Sequence, residues 1–92
     1  MEHLSIKDIH DRLQQLPGWE MTGDGLVKEF SFSSFKEAMS FAHQVGEEAE
    51  RQQHYPHILI METIVTLTLT TPSSNGVTYE DFKLARAIEQ MV

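Results

Sequence analysis

Residues 64–71 read Ile64-Val65-Thr66-Leu67-Thr68-Leu69-Thr70-Thr71, and this alternation of apolar and hydroxyl-bearing side chains decides the fold. Successive side chains of a β-strand point to opposite faces of a sheet, so the apolar residues share one face and the threonines share the other. Such a strand packs one face on a core. The row of threonines could line a ligand surface. It could also be simply the polar side of a sheet, because threonine is a good strand former.

Three more strand candidates accompany this one. Residues 57–62 form a short apolar segment directly before it. Earlier in the chain, residues 19–22 and 26–32 flank Gly23-Asp24-Gly25, a sequence typical of a tight hairpin turn. Because each pair is adjacent in sequence, both pairs are expected to be hairpins and the sheet is expected to be antiparallel.

Three amphipathic helices are predicted around the strand pairs, each beginning at a capping box in which Ser or Thr is followed three residues later by an acidic residue. The boxes are Ser5 with Asp8, Ser34 with Glu37, and Thr78 with Asp81. Apolar residues follow at helical spacing in the first helix (Ile6, Ile9, Leu13, Leu16) and the second (Ala38, Phe41, Ala42, Val45, Ala49). The second helix is expected to run to about Gln53. Five aromatic residues are assigned to the core: Trp19, Phe30, Phe32, Phe35 and Phe41.

The predicted order is therefore α-β-β-α-β-β-α. This order favours an α+β two-layer fold, in which a four-stranded antiparallel sheet carries the helices on one face. The chain has 92 residues and no internal boundary or low-complexity segment, so residues 1–92 are expected to form a single domain.

Composition excludes several classes of function. The net charge is −7 with only 7 Lys and Arg, and no basic stripe is present to bind nucleic acid or an anionic membrane. The chain has no cysteine, which rules out disulfides and thiolate metal sites. The longest apolar run, Ile58-Leu59-Ile60-Met61, is too short to span a membrane. Since the first residues also lack the pattern of a signal peptide, we expect a cytoplasmic protein.

Residues 50–56 read Glu50-Arg51-Gln52-Gln53-His54-Tyr55-Pro56 and are the best candidate site. Residues i and i+4 of a helix lie on one face, so Glu50 is expected to contact His54. Pro56 lacks an N–H and ends the helix, which presents the imidazole at a helix end. His54 could transfer protons, or it could be a histidine that stabilises the helix C-terminus. Glu50, His54 and His57 could also bind a metal, but their spacing is common by chance.

Other segments are informative in combination: Leu16-Pro17-Gly18-Trp19, Phe30-Ser31-Phe32, His54-Tyr55-Pro56, Gly76-Val77-Thr78-Tyr79-Glu80-Asp81, Leu84-Ala85 and Ile88-Glu89. Through them the chain resembles the pterin-4a-carbinolamine dehydratase family, also called 4a-hydroxytetrahydrobiopterin dehydratase, over nearly its whole length. The family's active-site pattern is Glu-x-x-x-His-His-Pro, an aromatic residue, Thr-His, and a Gly-Leu-Ser/Thr segment that ends in Asp.

By position, Glu50 matches the acid, His54 the first histidine, Pro56 the proline and Asp81 the terminal aspartate. Asp81 is also part of a capping box, which would explain its presence without a catalytic role. The chain departs from the pattern at three positions: Tyr55 replaces the second histidine, Pro72 replaces the third, and Glu62 stands at the aromatic position.

The resemblance implies an enzyme that removes water from 4a-hydroxytetrahydropterin in pterin recycling and uses no metal or other cofactor, since the pterin is the substrate. His54 and Glu50 would be its catalytic residues, because an imidazole titrates near neutral pH. Tyr55, Pro56, His57 and Asp81 would bind the substrate. Some relatives act as a dimerization cofactor for a transcription factor, and degenerate relatives act as assembly factors, so a protein-binding module that has lost the reaction is the alternative. The family also assembles as dimers and tetramers, which implies a homo-oligomer here, and an exposed sheet edge is the expected contact.

Overall fold

The structure is a computed structural model that describes residues 2–92. Its elements in chain order are α1 (Ile6–Leu13), β1 (Glu20–Thr22), β2 (Gly25–Ser31), α2 (Phe35–Gln52), β3 (His57–Met61), β4 (Ile64–Leu69), a 3₁₀ turn (Pro72–Ser74) and α3 (Tyr79–Glu89). This is the predicted order of helices and strands, with a short 3₁₀ turn added between β4 and α3.

The strands form one antiparallel sheet in the order β1-β2-β4-β3. Each predicted hairpin is present, and the two hairpins join where β2 pairs with β4. The alternation in β4 is confirmed, because Val65, Leu67 and Leu69 are buried while Thr66 and Thr68 are only half-buried. β4 is thus a central strand with one face on the core.

The helices cover only the apolar face of the sheet. That face contributes five buried residues to the core: Leu26, Phe30, Val65, Leu67 and Leu69. α2 and α3 contribute the residues that pack on them: Ala38, Phe41, Val45, Phe82, Leu84, Ala85 and Ile88. The opposite face of the sheet includes Glu29, Leu59 and Met61, which are exposed. The expected α+β two-layer architecture is therefore confirmed.

Four details of the elements and the core differ from the prediction. α1 ends at Leu13, and Leu16 is buried in the turn that follows the helix. Leu16 directly precedes Pro17, and a residue before proline disfavours helical geometry. Ile6 is 87% exposed because it begins α1 ahead of the buried Ile9. Phe35 is also exposed rather than part of the core, since it is the first residue of α2 and precedes the buried stripe. Glu62, expected in β3, lies in the β3–β4 turn with a φ of 54°.

None of the helices within residues 2–92 is both long enough and apolar enough to cross a membrane.

Candidate active site

His54 lies in the loop after α2, and the way this helix ends fixes its backbone. Gln53 takes the left-handed conformation, with φ 54° and ψ 43°. The His54 N–H then donates to the Ala49 carbonyl at 3.0 Å, which closes a Schellman motif. Pro56 follows and cannot continue a helix. His54 is therefore held just outside α2 rather than on it.

This helix end changes the environment expected for Glu50. The i, i+4 rule applies only while both residues are helical, and Gln53 interrupts the helix before His54. Glu50 is exposed, and its Oε2 accepts a hydrogen bond from the Tyr55 hydroxyl at 3.4 Å. The expected contact between Glu50 and His54 is not formed. Glu50 instead lies beside Tyr55 at the surface.

The carboxylate that contacts His54 belongs to Asp81, in the first turn of α3. Asp81 Oδ1 lies 2.5 Å from His54 Nε2. Because a carboxylate can only accept, the ring nitrogen Nε2 carries a proton and donates it. The Asp81 side chain is fully buried and that of His54 is 12% exposed. Charge-assisted hydrogen bonds of this kind are short and strong, so the imidazole is held in one orientation.

The second oxygen of Asp81 caps α3. Oδ2 accepts the Thr78 backbone N–H at 2.9 Å, and the Thr78 side chain accepts from the first turn, which completes the capping box. From the sequence, Asp81 could be either a helix cap or a site residue. It is both, since one oxygen contacts the helix start and the other contacts His54.

A pair of threonine hydroxyls also holds Asp81. The Thr71 hydroxyl donates to Asp81 Oδ2 at 2.7 Å, and the oxygens of Thr71 and Thr78 lie 2.9 Å apart. Thr71 has a single hydroxyl proton, so Thr78 is the donor between the two threonines. No buried side-chain nitrogen or oxygen within residues 2–92 lacks a partner. Hydrogen bonds to both of its oxygens therefore fix the orientation of the buried Asp81 carboxylate.

With Nε2 bound to Asp81, Nδ1 is the His54 nitrogen left for a ligand. Glu80 Oε2 lies 3.8 Å from it, too far for a hydrogen bond but near enough to attract a protonated ring. The Glu80 side chain is 46% exposed, so Nδ1 faces a carboxylate at the surface of the protein. An imidazole with one nitrogen anchored and the other open can both give and take a proton.

Two residues at this site were not identified from the sequence. Thr71 is the threonine of the Thr71-Pro72 pair, so its position in the family pattern was a usable signal. Glu80 directly precedes Asp81 in the first turn of α3, but an acidic residue there is also favourable to any helix.

The other candidate residues surround His54 at the surface. Tyr55 is 58% exposed, Pro56 is half-buried, and His57 is exposed at the start of β3. The described part of the chain shows no hydrogen bond from His57 to the histidine–aspartate pair. Among residues 2–92, no group of three or more His, Asp or Glu side chains is placed to hold a metal ion.

Comparison with known proteins shows the family of the chain. Residues 2–91 match the model of the family described as pterin 4 alpha carbinolamine dehydratase. A relative from Thermomicrobium roseum is 42% identical over 99% of this chain and 98% of its own, and one from Christiangramia forsetii is 39% identical over 100% and 95%. Both carry the name "Putative pterin-4-alpha-carbinolamine dehydratase".

The fold also matches a solved structure. The crystal structure of a transcriptional coactivator/pterin dehydratase from Brucella melitensis superposes with a TM-score of 0.93, covers 98% of each chain and is 30% identical. The match runs through the whole α-β-β-α-β-β-α order, and the sequence matches include both segments that form the His54–Asp81 pair. The chain belongs to the pterin 4 alpha carbinolamine dehydratase family.

Proposed function

We propose that this protein is a hydro-lyase that removes water from 4a-hydroxytetrahydropterin, as a step of pterin recycling in the cytoplasm. The observation that carries this proposal is the His54–Asp81 pair, in which one imidazole nitrogen is anchored at 2.5 Å and the other has no hydrogen-bond partner among residues 2–92. Membership of the family supplies the substrate class. No metal or redox cofactor is needed, because dehydration transfers no electrons.

In the first step, His54 acts as a general acid. The protonated ring gives its Nδ1 proton to the hydroxyl on C4a, the C4a–O bond breaks, and water leaves with the bonding pair. Electrons from the pterin nitrogen N5 form a C4a=N5 double bond, which leaves N5 protonated and positively charged. Asp81 holds Nε2 throughout, so the ring does not rotate.

In the second step, the same nitrogen acts as a base. The now neutral Nδ1 takes the proton from N5, which yields the quinonoid dihydropterin and restores the protonated imidazole. The enzyme has gained and lost one proton, so a single imidazole is sufficient. Glu80 attracts both the protonated ring and the cationic intermediate, since its carboxylate faces Nδ1 at 3.8 Å.

The residues around His54 would position the substrate. Tyr55 and His57 offer hydrogen-bonding groups at the surface, and Pro56 offers an apolar contact. Glu50 would act through Tyr55, because the Glu50 carboxylate accepts a hydrogen bond from the Tyr55 hydroxyl at 3.4 Å. Asp81 would act on the substrate only through His54, since it is fully buried.

Turnover of synthetic 4a-hydroxytetrahydropterin tests this function. Formation of the quinonoid product is followed by its ultraviolet absorbance, with and without the purified protein. We expect the protein to accelerate product formation above the spontaneous rate. A rate of product formation equal to the spontaneous rate in buffer alone would contradict the proposal.

The second candidate is a protein-binding module that has lost the reaction. Two observations favour it: Tyr55 and Pro72 stand where the family pattern has histidines, and the Brucella melitensis relative is described as a transcriptional coactivator as well as a dehydratase. The same turnover assay separates the two candidates, because a binding module gives no acceleration.

Self-association through the edge strand β3 is part of either proposal. β3 is at one edge of the sheet, and three of its five residues are exposed apolar side chains: Ile58 at 39%, Leu59 at 55% and Met61 at 65%. A flat apolar edge without Lys or Pro is open to pairing with another strand. A second copy of the chain is the partner that the resemblance implies.

A further inference from the structure

Two arginines from different helices meet over one aromatic ring, away from the His54–Asp81 pair. Arg12 of α1 lies 5.0 Å from the centre of the Tyr79 ring, and Arg86 of α3 lies 5.3 Å from it. Arg86 also donates to the Tyr79 hydroxyl at 3.0 Å, and Arg12 lies 5.9 Å from the Phe82 ring. These contacts bring two guanidinium groups together at the junction of α1 and α3.

Within the part of the chain that the structure describes, neither guanidinium forms an ion pair with a carboxylate. The lysines and arginines that form ion pairs within residues 2–92 are Lys7, Lys28 and Arg51. Each guanidinium has five N–H donors, and the hydrogen bonds found in this part of the chain use only one, from Arg86. Stacking on a ring occupies the face of a guanidinium and leaves its N–H edges available.

Both arginines line the same surface cleft, of about 250 Å³. Its other lining residues are Asp8, Asp11, Gln15 and Leu16. Asp11 is already paired with Lys7 at 3.0 Å, which leaves Asp8 as the unpaired acid against two unpaired arginines. The lining side chains alone balance, with two acids against two arginines. When Lys7 is counted with its partner Asp11, the charged groups at the cleft have one positive charge in excess, in a chain whose net charge is −7.

We propose that this cleft binds the oxyanion of a small ligand, a phosphate or a carboxylate group. Planar guanidinium forks match both groups with paired N–H donors. Rings already stacked against the guanidinium groups reduce the side-chain freedom lost on binding. The amide of Gln15 adds a donor, and Asp8 would accept a hydroxyl or amine from the remainder of the ligand. The proposal is independent of the dehydratase reaction.

Anion titration of the intact protein by NMR tests this site. Inorganic phosphate and acetate are the probes, and the observed signals are the Tyr79 ring protons and the Nε–H groups of the two arginines. We expect saturable shifts of these signals with at least one probe. Phosphate alone would identify a phosphate site, and acetate with similar affinity would identify a carboxylate site. No saturable shift with either probe, up to about 0.15 M, would overturn the proposal.

Arg86→Gln and Arg51→Gln are the matched variants, since both arginines are exposed helical residues and only Arg86 lines the cleft. Removing a charged donor group should weaken binding about tenfold in Arg86→Gln. Arg51→Gln should bind as wild type. Equal weakening in both variants would mean diffuse attraction to the surface and would also overturn the proposal.

Discussion

Asp81 is a fully buried carboxylate, and burying a charge without partners costs several kcal/mol. Its two oxygens are satisfied by His54, Thr71 and the Thr78 backbone, so the same contacts that orient the imidazole also make the burial of the charge tolerable. Folding and the proposed proton transfer would therefore depend on one side chain.

We predict that Asp81→Ala lowers the free energy of unfolding by roughly 3–5 kcal/mol, because it leaves His54 without its partner and removes the cap of α3. Glu80→Ala is the control, since this neighbouring carboxylate is only partly buried, and it should cost less than about 1 kcal/mol. Urea unfolding of both variants measures the difference. Similar stability for the two variants would show that the Asp81 contacts contribute little.

At the residue scale, the sequence located His54 and Asp81 but not their contact. The two residues are 27 positions apart, and only the packing of α3 against the end of α2 brings them together. Helical spacing predicted a contact between Glu50 and His54. The contact does not form, because Gln53 has a positive φ and ends the helix before His54. A left-handed glutamine has no dependable sequence signal, since glycine or asparagine is usual at that position.

At the element scale, Gly25 sets the start of β2 against β4. Its φ is +132°, and a Cβ at this position would lie 2.3 Å from the Leu69 carbonyl oxygen. That oxygen belongs to the backbone of the neighbouring strand and cannot move aside without disturbing the pairing. Only glycine fits both the conformation and the space.

We predict that Gly25→Ala destabilises the protein by roughly 3 kcal/mol or more, through backbone strain and displacement of β4. Gly23→Ala in the same turn is the matched control, because an added Cβ there meets no atom within 4 Å. It should change stability by less than about 0.5 kcal/mol. Thermal unfolding of the two variants checks this, and an equally mild effect at Gly25 would contradict the role given to its backbone.

Strands were easier to predict than the ends of helices. The alternation in residues 64–71 and the turn at Gly23-Asp24-Gly25 are local signals, and both hairpins formed as expected. The pairing of β2 with β4 joins strands that are distant in sequence and has no local signal. The early end of α1 reflects Pro17 acting on Leu16, an effect that apolar spacing does not reveal.

At the scale of the whole molecule, one sheet face carries the core and the other faces outward with apolar residues near the β3 edge. Burying one large apolar side chain contributes about 1.5–3 kcal/mol, so pairing of two β3 edges would gain substantially from Leu59 and Met61. A 92-residue chain has a modest core, and such pairing would add to it.

We predict that the wild type is at least a dimer and that the double variant Leu59→Lys, Met61→Lys is shifted toward monomer, since lysine on an edge strand opposes pairing. Ile6→Lys is the control, because it places a lysine at an exposed apolar position on α1. Sedimentation velocity gives the masses. An unchanged mass for the double variant would exclude the β3 edge as the contact.

The proposed chemistry requires that one imidazole, held by one buried carboxylate, makes both proton transfers. In His54→Gln the amide can still donate to Asp81, but it cannot transfer a proton. His43→Gln is the matched control, since the His43 side chain is 76% exposed on α2 and the one carboxylate paired with it among residues 2–92 is that of Glu47, at 3.8 Å.

The decisive measurement is the rate of quinonoid dihydropterin formation from 4a-hydroxytetrahydropterin by the wild type and these two variants. We predict acceleration by the wild type and by His43→Gln, and a loss of about 10²-fold or more, down to the spontaneous rate, in folded His54→Gln. A His54→Gln variant that turns over as fast as the wild type would contradict the single-imidazole mechanism.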